Sequence, residues 1–161
     1  MRIIAIDPGY ERLGIAVIEK NPREKEVLLY SECFKTDAKL AQSDRLGLIG
    51  AELERVIDEY EPTAMAIETL FFSTNHKTAI TVAEARGAIL REAARHSLKV
   101  YEYGPGQIKV AVTGYGKSDK NQIIAMIPRL IKITKPIKHD DEYDAIAVGL
   151  TCFASERLST A

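Results

Sequence analysis

The stretch Ile3-Ile4-Ala5-Ile6-Asp7-Pro8-Gly9 decides the fold, together with the return of the chain through Gly14-Ile15-Ala16-Val17-Ile18. Two apolar runs joined by a short connection rich in Pro and Gly form adjacent antiparallel strands. The first run is continuously apolar rather than alternating, which puts it at the centre of a sheet, covered on both faces. Asp7 therefore ends a buried strand, where a carboxylate is costly unless it is paired or holds a cation. Asp7-Pro8-Gly9 alone also reads as an ordinary turn. The weight of Asp7 thus depends on which other acids the chain brings to a similar setting.

Working outward, Asn21-Pro22 turns the chain into a third strand over Val27–Lys35. Three strands in succession predict a meander on one side of the sheet. Ser43 and Asp44 open a helix in which Leu46, Ile49, Leu53, Val56, Ile57 and Tyr60 keep helical spacing, and Pro62 stops it. Ala64-Met65-Ala66-Ile67 is a fourth strand, and it too ends on an acid, Glu68. A loop containing Leu70-Phe71-Phe72 leads to a helix over 76–96 rich in Ala79, Ala83, Ala85, Gly87, Ala88, Ala93 and Ala94. Such a helix permits close approach of another backbone. A fifth strand at 99–103 closes on Gly104-Pro105-Gly106, and a short helix follows over 107–112. Ser118 or Asp119 caps a helix running to residue 132, which Pro128 should kink or shorten. His139-Asp140-Asp141 opens the last helix. The expected class is α/β, a five-stranded mixed sheet flanked by helices.

At 161 residues the chain is long enough for one domain with a real core, and no linker or repeat divides it. The net charge of -1 announces no global basic field, although a basic face can sit beside an acidic site. Cys33 and Cys152 lie in apolar segments and read as small core residues of a reduced, cytoplasmic protein. Only four apolar residues follow Arg2 before Asp7, too few for a signal peptide. No run approaches the ~20 apolar residues that span a bilayer.

The chemistry lies in the acids. Asp7 and Glu68 end apolar strands; Asp141 and Asp144, three apart on one helix, share a face. Four carboxylates on rigid elements suit hard cations, Mg²⁺ or Mn²⁺. Two such ions about 3.5–4 Å apart serve phosphodiester cleavage. The plain alternative for Asp141 and Asp144 is that acids in a first turn offset the helix dipole and cap free N–H groups.

Taken in order, Ile6-Asp7-Pro8-Gly9, Ala66-Ile67-Glu68, Phe71, Ala85-Arg86-Gly87, Gln107-Ile108-Lys109 and Asp141 to Asp144-Ala145-Ile146-Ala147 resemble the RuvC family of Holliday-junction resolvases. Each motif is short; the ordered set, from residue 3 to residue 153, is specific. The resemblance implies a ribonuclease-H-like fold and a metal-dependent endonuclease that acts as a homodimer. Such an enzyme cuts a four-way DNA junction symmetrically during recombination and repair, leaving 5′-phosphate ends. A branch-migration helicase is an implied partner. The resemblance maps the catalytic acids onto Asp7, Glu68, Asp141 and Asp144. The position of Asp141 is a histidine in some members, so His139 and Asp140 stay open as sharers of its role.

The same resemblance gives Phe71 as an aromatic that wedges or stacks at the junction, with core packing as the alternative for Phe71 or Phe72. It gives Lys109 and Lys120 as basic groups near the scissile phosphate, with Lys117 close by. Arg86 also matches, with DNA, Glu84 or a partner subunit as open assignments. Many relatives carry a basic tail after the last helix. This sequence ends at Ala161 soon after Arg157, from which weaker nonspecific DNA affinity is expected.

Three other readings compete. A ribonuclease-H-like nuclease of structured RNA shares the strand-ending Asp7-Pro8-Gly9 pattern. A junction-binding protein without catalysis needs no full set of acids. A sugar kinase or actin-like ATPase needs a longer, two-lobed chain.

Overall fold

The chain lays down β1 (Arg2–Asp7), β2 (Arg12–Glu19), β3 (Val27–Lys35), α1 (Gln42–Tyr60), β4 (Ala64–Glu68), α2 (His76–Arg95), β5 (Lys99–Tyr103), α3 (Pro105–Thr113), α4 (Lys120–Leu130) and α5 (Asp140–Ser159). The computed structural model describes residues 1–70 and 76–159. The five strands form one sheet in the order β3-β2-β1-β4-β5. The meander is antiparallel, with Asp7 opposite Gly14. β4 and β5 join β1 as parallel strands, with Ile6 beside Ile67. The continuously apolar first strand is thus the central one, as its composition requires.

Strand alternation sorts the core into two layers. Ile4, Ile6, Ile15, Val17, Met65 and Ile67 face α1 and α2, meeting Ile49, Leu53, Val56, Ile89 and Ala93. The opposite face carries Ile3, Ala5, Ala16, Ile18, Ala64 and Ala66, covered by α3, α4 and α5 through Ile108, Ile127, Ile146 and Val148. Fully burying each of the Ile, Leu, Val and Met side chains among these is worth roughly 1.5–3 kcal/mol. The second face is the one with small residues, and α5 exploits that. A Cβ on Gly149 would stand 2.6 Å from Ile18 Cδ1 and 3.1 Å from Ala5 Cβ. Glycine there lets α5 lie directly on β1 and β2, which fixes where its first turn falls.

Two boundaries differ from expectation. Gly104-Pro105-Gly106 is not only a strand end: Gly104 N donates to Gln107 Oε1 at 2.8 Å, and Pro105 is the first residue of α3. Proline suits that position because its missing N–H would be unpaired there anyway. Pro128 lies in the last turn of α4, which stops at Leu130. The freed segment extends and pairs with the outer side of β3, Lys132 N donating to Glu26 O (2.8 Å) and Leu28 N to Lys132 O (3.0 Å). The proline shortens the helix and lets the chain cover an open sheet edge. Cys33 and Cys152 are buried and unbridged. Among the described residues no helix is long and apolar enough to cross a membrane.

Candidate active site

Parallel pairing of Ile6 with Ile67 sets the next residues, Asp7 and Glu68, side by side at the carboxyl ends of β1 and β4. Their side chains share a hydrogen bond. The first turn of α5 comes down on this pair over Gly14, the register partner of Asp7. A Cβ on Gly14 would stand 2.2 Å from Asp141 O and 3.1 Å from Asp7 Cβ. Glu142 fixes that turn. Its Oε1 accepts from Lys138 N (3.0 Å) and His139 N (3.1 Å), and its Oε2 accepts from Ser31 Oγ of β3 at 2.6 Å. At 4 % exposure, Glu142 ties the start of α5 to the sheet.

The result is a carboxylate cluster short of positive charge. Burial, then the charges of Glu68, Asp144 and Asp141, push the Asp7 carboxyl up to about 8. Glu68 is raised by burial and by Asp144, against the Asp7 hydrogen bond and the Lys109 charge. Asp144 is raised by burial although Lys120 Nζ sits 2.9 Å from its Oδ2. Lys120 also reaches Asp140 at 3.4 Å. Arg12 binds Asp141 Oδ2 at 2.5 Å, and Cys33 Sγ lies 3.5 Å from the same oxygen. Arg12 and Lys120 pair with Asp141 and Asp144, and no three His, Cys, Asp or Glu groups among the described residues form a ready-made metal cage. The donors nevertheless fit a hard divalent cation: all are carboxyl groups on strand ends and a helix, and Asp7, Glu68 and Asp144 line a hollow.

That hollow has two lobes meeting at Glu68 and Pro105. One, of about 280 Å³, is lined by Lys109, Ser118, Asp119, Lys120, Ile123 and Asp144 as well. The other, of about 270 Å³, reaches Asp7, Pro8, Thr69 and Leu70. Of the basic candidates, Lys109 and Lys120 thus border the acids, while Lys117 is exposed on the loop before α4. Asp141 raises both Asp7 and Asp144, whereas Asp140, paired with Lys120 and largely exposed, raises Asp144. His139 lines a separate cavity beneath β3, with Lys135, Lys138 and Glu142. Arg86 pairs with Glu102 of β5 rather than with Glu84. Phe71 and Phe72 lie outside the described residues.

Sequence reasoning missed Arg12, Gly14 and Glu142. Glu142 follows His139 by three, the spacing at which a glutamate caps a helix start, so a signal existed. Nothing local marks Arg12, whose partner is 129 positions away.

Comparison with known proteins gives these features a family. The family described as crossover junction endodeoxyribonuclease RuvC matches residues 3–152. The chain is 44% identical to the crossover junction endodeoxyribonuclease RuvC of Alkaliphilus oremlandii, over 93% of this chain and 91% of that one. It is also 44% identical to that of Thermosipho melanesiensis, over 97% and 98%. Among solved structures it resembles Thermus thermophilus RuvC in complex with a Holliday junction substrate, with a TM-score of 0.92, 32% identity, and coverage of 100% of this chain and 98% of that one. The architecture is the ribonuclease-H-like resolvase fold. The chain belongs to the RuvC family of crossover junction endodeoxyribonucleases, metal-dependent nucleases that resolve Holliday junctions.

Proposed function

We propose that the chain, as one nuclease domain, resolves four-way DNA junctions by paired symmetric cuts with Asp7, Glu68, Asp141 and Asp144 as its metal-holding acids. The observation that carries the reading is the convergence of Asp7 and Glu68 from adjacent strands with Asp144 from α5 around one hollow. Mg²⁺, or Mn²⁺ in its place, would be held there, two ions per site, supplying Lewis acidity and an activated water for phosphodiester hydrolysis. The protein's own part is positioning and charge. Burial and the neighbouring acids favour a proton on Asp7, which would have to leave for Asp7 to serve as a ligand. Lys120 exchanges its carboxylate partners for a phosphate oxygen of the bound strand. Lys109, beside Glu68, stabilises charge that grows on the phosphate in the transition state. Lys117 attracts the backbone farther out. The products are 5′-phosphate and 3′-hydroxyl ends.

A four-way junction has approximate two-fold symmetry, so two matched cuts call for a two-fold dimer. The outward face of α2 supports that: Ala83, Gly87 and Ala94 are exposed, and Ile80 is 62% exposed. A branch-migration helicase as partner and a cytoplasmic location follow from the same reading.

The test is a mobile synthetic junction with Mg²⁺, with the cuts mapped on all four strands. Matched nicks on two opposed strands are expected. Asp7→Asn, Glu68→Gln and Asp144→Asn should each lower cleavage at least about a hundredfold while junction binding persists, since each removes a ligand and no phosphate contact. Near-normal cleavage by any of them would overturn its assignment, and preferential cutting of structured RNA would overturn the substrate.

A further inference from the structure

The segment joining α3 to α4 reads Thr113-Gly114-Tyr115-Gly116-Lys117-Ser118. Its composition suggests a slack turn, but its hydrogen bonds make it stiff. Ser118 N donates to Tyr115 O at 3.2 Å, and Ser118 Oγ donates to the same oxygen at 2.7 Å. Tyr115 N donates to Thr113 Oγ1 at 3.2 Å, and the Thr113 and Ser118 hydroxyls bond to each other. Gly114, at a φ of 78°, makes the sharp left-handed exit from α3. Gly116 presses on the Val110 side chain, where an added Cβ would meet Cγ2 at 3.3 Å.

This scaffold fixes the Tyr115 backbone and leaves its ring in water. Tyr115 is 59% exposed and Val110 is 52% exposed; both are among the few large apolar side chains that the described residues leave uncovered. The loop also belongs to the rim of the acidic hollow. Ser118, which holds the Tyr115 carbonyl, lines it with Asp119 and Lys120, and Lys109 lines it from α3. Lys117, two residues beyond Tyr115, is exposed. An aromatic face on a rigid loop, interleaved with Lys109, Lys117 and Lys120, has the chemistry that binds a nucleic-acid strand. Bases stack on the ring and ammonium groups neutralise the phosphates between them. A protein partner would find little apolar area here beyond Tyr115 and Val110.

We propose that Tyr115 is a stacking platform for a base of the junction strand entering the carboxylate hollow, with Lys117 on the adjacent phosphate. The inference rests on the junction-resolving reading above and deepens it, because it sets the side from which the strand approaches Glu68 and Asp144. Stacking is a property of the ring, not of the hydroxyl. Tyr115→Phe should therefore behave like wild type, whereas Tyr115→Leu keeps bulk and apolarity but loses the face.

The test uses the full chain carrying Asp7→Asn, so that binding is read without cutting, and a synthetic junction with 2-aminopurine near the mapped cut site. Tyr115→Ala and Tyr115→Leu should weaken junction binding at least about fivefold. They should abolish the 2-aminopurine quenching seen with Tyr115 and Tyr115→Phe. Melting temperature should stay unchanged, because the ring supports no core. Loss of quenching with Ala and Leu but not Phe supports the platform. Equal affinity and quenching across all four proteins overturns it, as does an equal loss with Phe. If wild type neither binds nor cuts the junction, the functional reading falls first. If it does both while Tyr115→Ala is indistinguishable from it, only the Tyr115 assignment falls.

Discussion

Asp7 shows how a single residue can be set against the stability of the fold that carries it. Its carboxyl is pushed up to about 8, from an ordinary value of 3.8, by burial and by three neighbouring acids. The native state therefore holds this proton more tightly than the unfolded chain does. Between the two values, raising the pH favours the unfolded state. In cation-free buffer the melting temperature should fall as pH rises from about 5 to about 8 and level off above that, with Glu68 and Asp144 acting in the same direction. A tenfold difference in proton affinity between the two states is worth ~1.4 kcal/mol, so the fall should amount to several degrees. Asp7→Asn should flatten the slope and melt higher than wild type at pH 8. Adding Mg²⁺ or Mn²⁺ should raise the wild-type melting temperature at pH 8 and release protons, measurable by calorimetry in buffers of different ionisation enthalpy. A wild-type melting temperature that climbs from pH 5 to 8, in parallel with Asp7→Asn, would contradict this account. The burial of this proposed metal-holding acid among others agrees with the general tendency of perturbed groups to gather where chemistry is done.

At the scale of the element, α5 shows what was legible in the sequence and what was not. Asp7 and Glu68 could be read because each ends an apolar run, a local signal. The shared face of Asp141 and Asp144 could be read from helical spacing. That α5 descends onto β2 at Gly14 could not, since the contact joins residues 14 and 141 and leaves no periodic trace. The anchoring of Glu142 by Ser31 was hidden for the same reason, and Arg12 with it. Pro128 is out of place by helical rules because its value lies beyond the helix, in the extended pairing of Lys132 with β3. A substitution tests the Gly14 contact directly. Gly14→Ala forces a Cβ against the Asp141 carbonyl, so the first turn of α5 must shift. The expected cost is about 1–3 kcal/mol, and a displacement near 1 Å of Asp141 and Asp144 should lower cleavage roughly a hundredfold. Gly47→Ala in α1, with nothing within 4 Å, is the control; it should gain about 0.5–1 kcal/mol and cut normally. Full cleavage by Gly14→Ala, with the fold intact by circular dichroism, would separate the helix position from the chemistry.

For the whole molecule, the question is how a chain whose described residues hold this acidic hollow would make two matched cuts. The small residues of α2 divide between two tasks. Ala85 and Ala93, with Ile89, are buried against the sheet and α1, so they serve the chain's own core. Ala83, Gly87 and Ala94 are exposed, and a Cβ on Gly87 would meet nothing within 4 Å. With Ile80 beside them, they form a narrow stripe of small residues that shares its side of the helix with the exposed Glu84 and Arg91, whose charges a second copy of the same helix would have to accommodate. Ala83→Arg puts a long cation on that face without entering the core. It should weaken self-association at least about a hundredfold by sedimentation velocity and leave the circular dichroism unchanged. The acids and lysines of each chain stay intact in that variant, so metal-dependent nicking should survive at high enzyme concentration. The nicks should lose their pairing: one strand of the junction cut without its opposed partner. Ala85→Arg, by contrast, charges a fully buried position and should unfold the chain, which marks the difference between the inner and outer faces. A wild type that sediments as a monomer even with junction DNA bound, or an Ala83→Arg variant that still cuts both strands in concert, would remove α2 from the interface and require the two-fold contact to lie elsewhere.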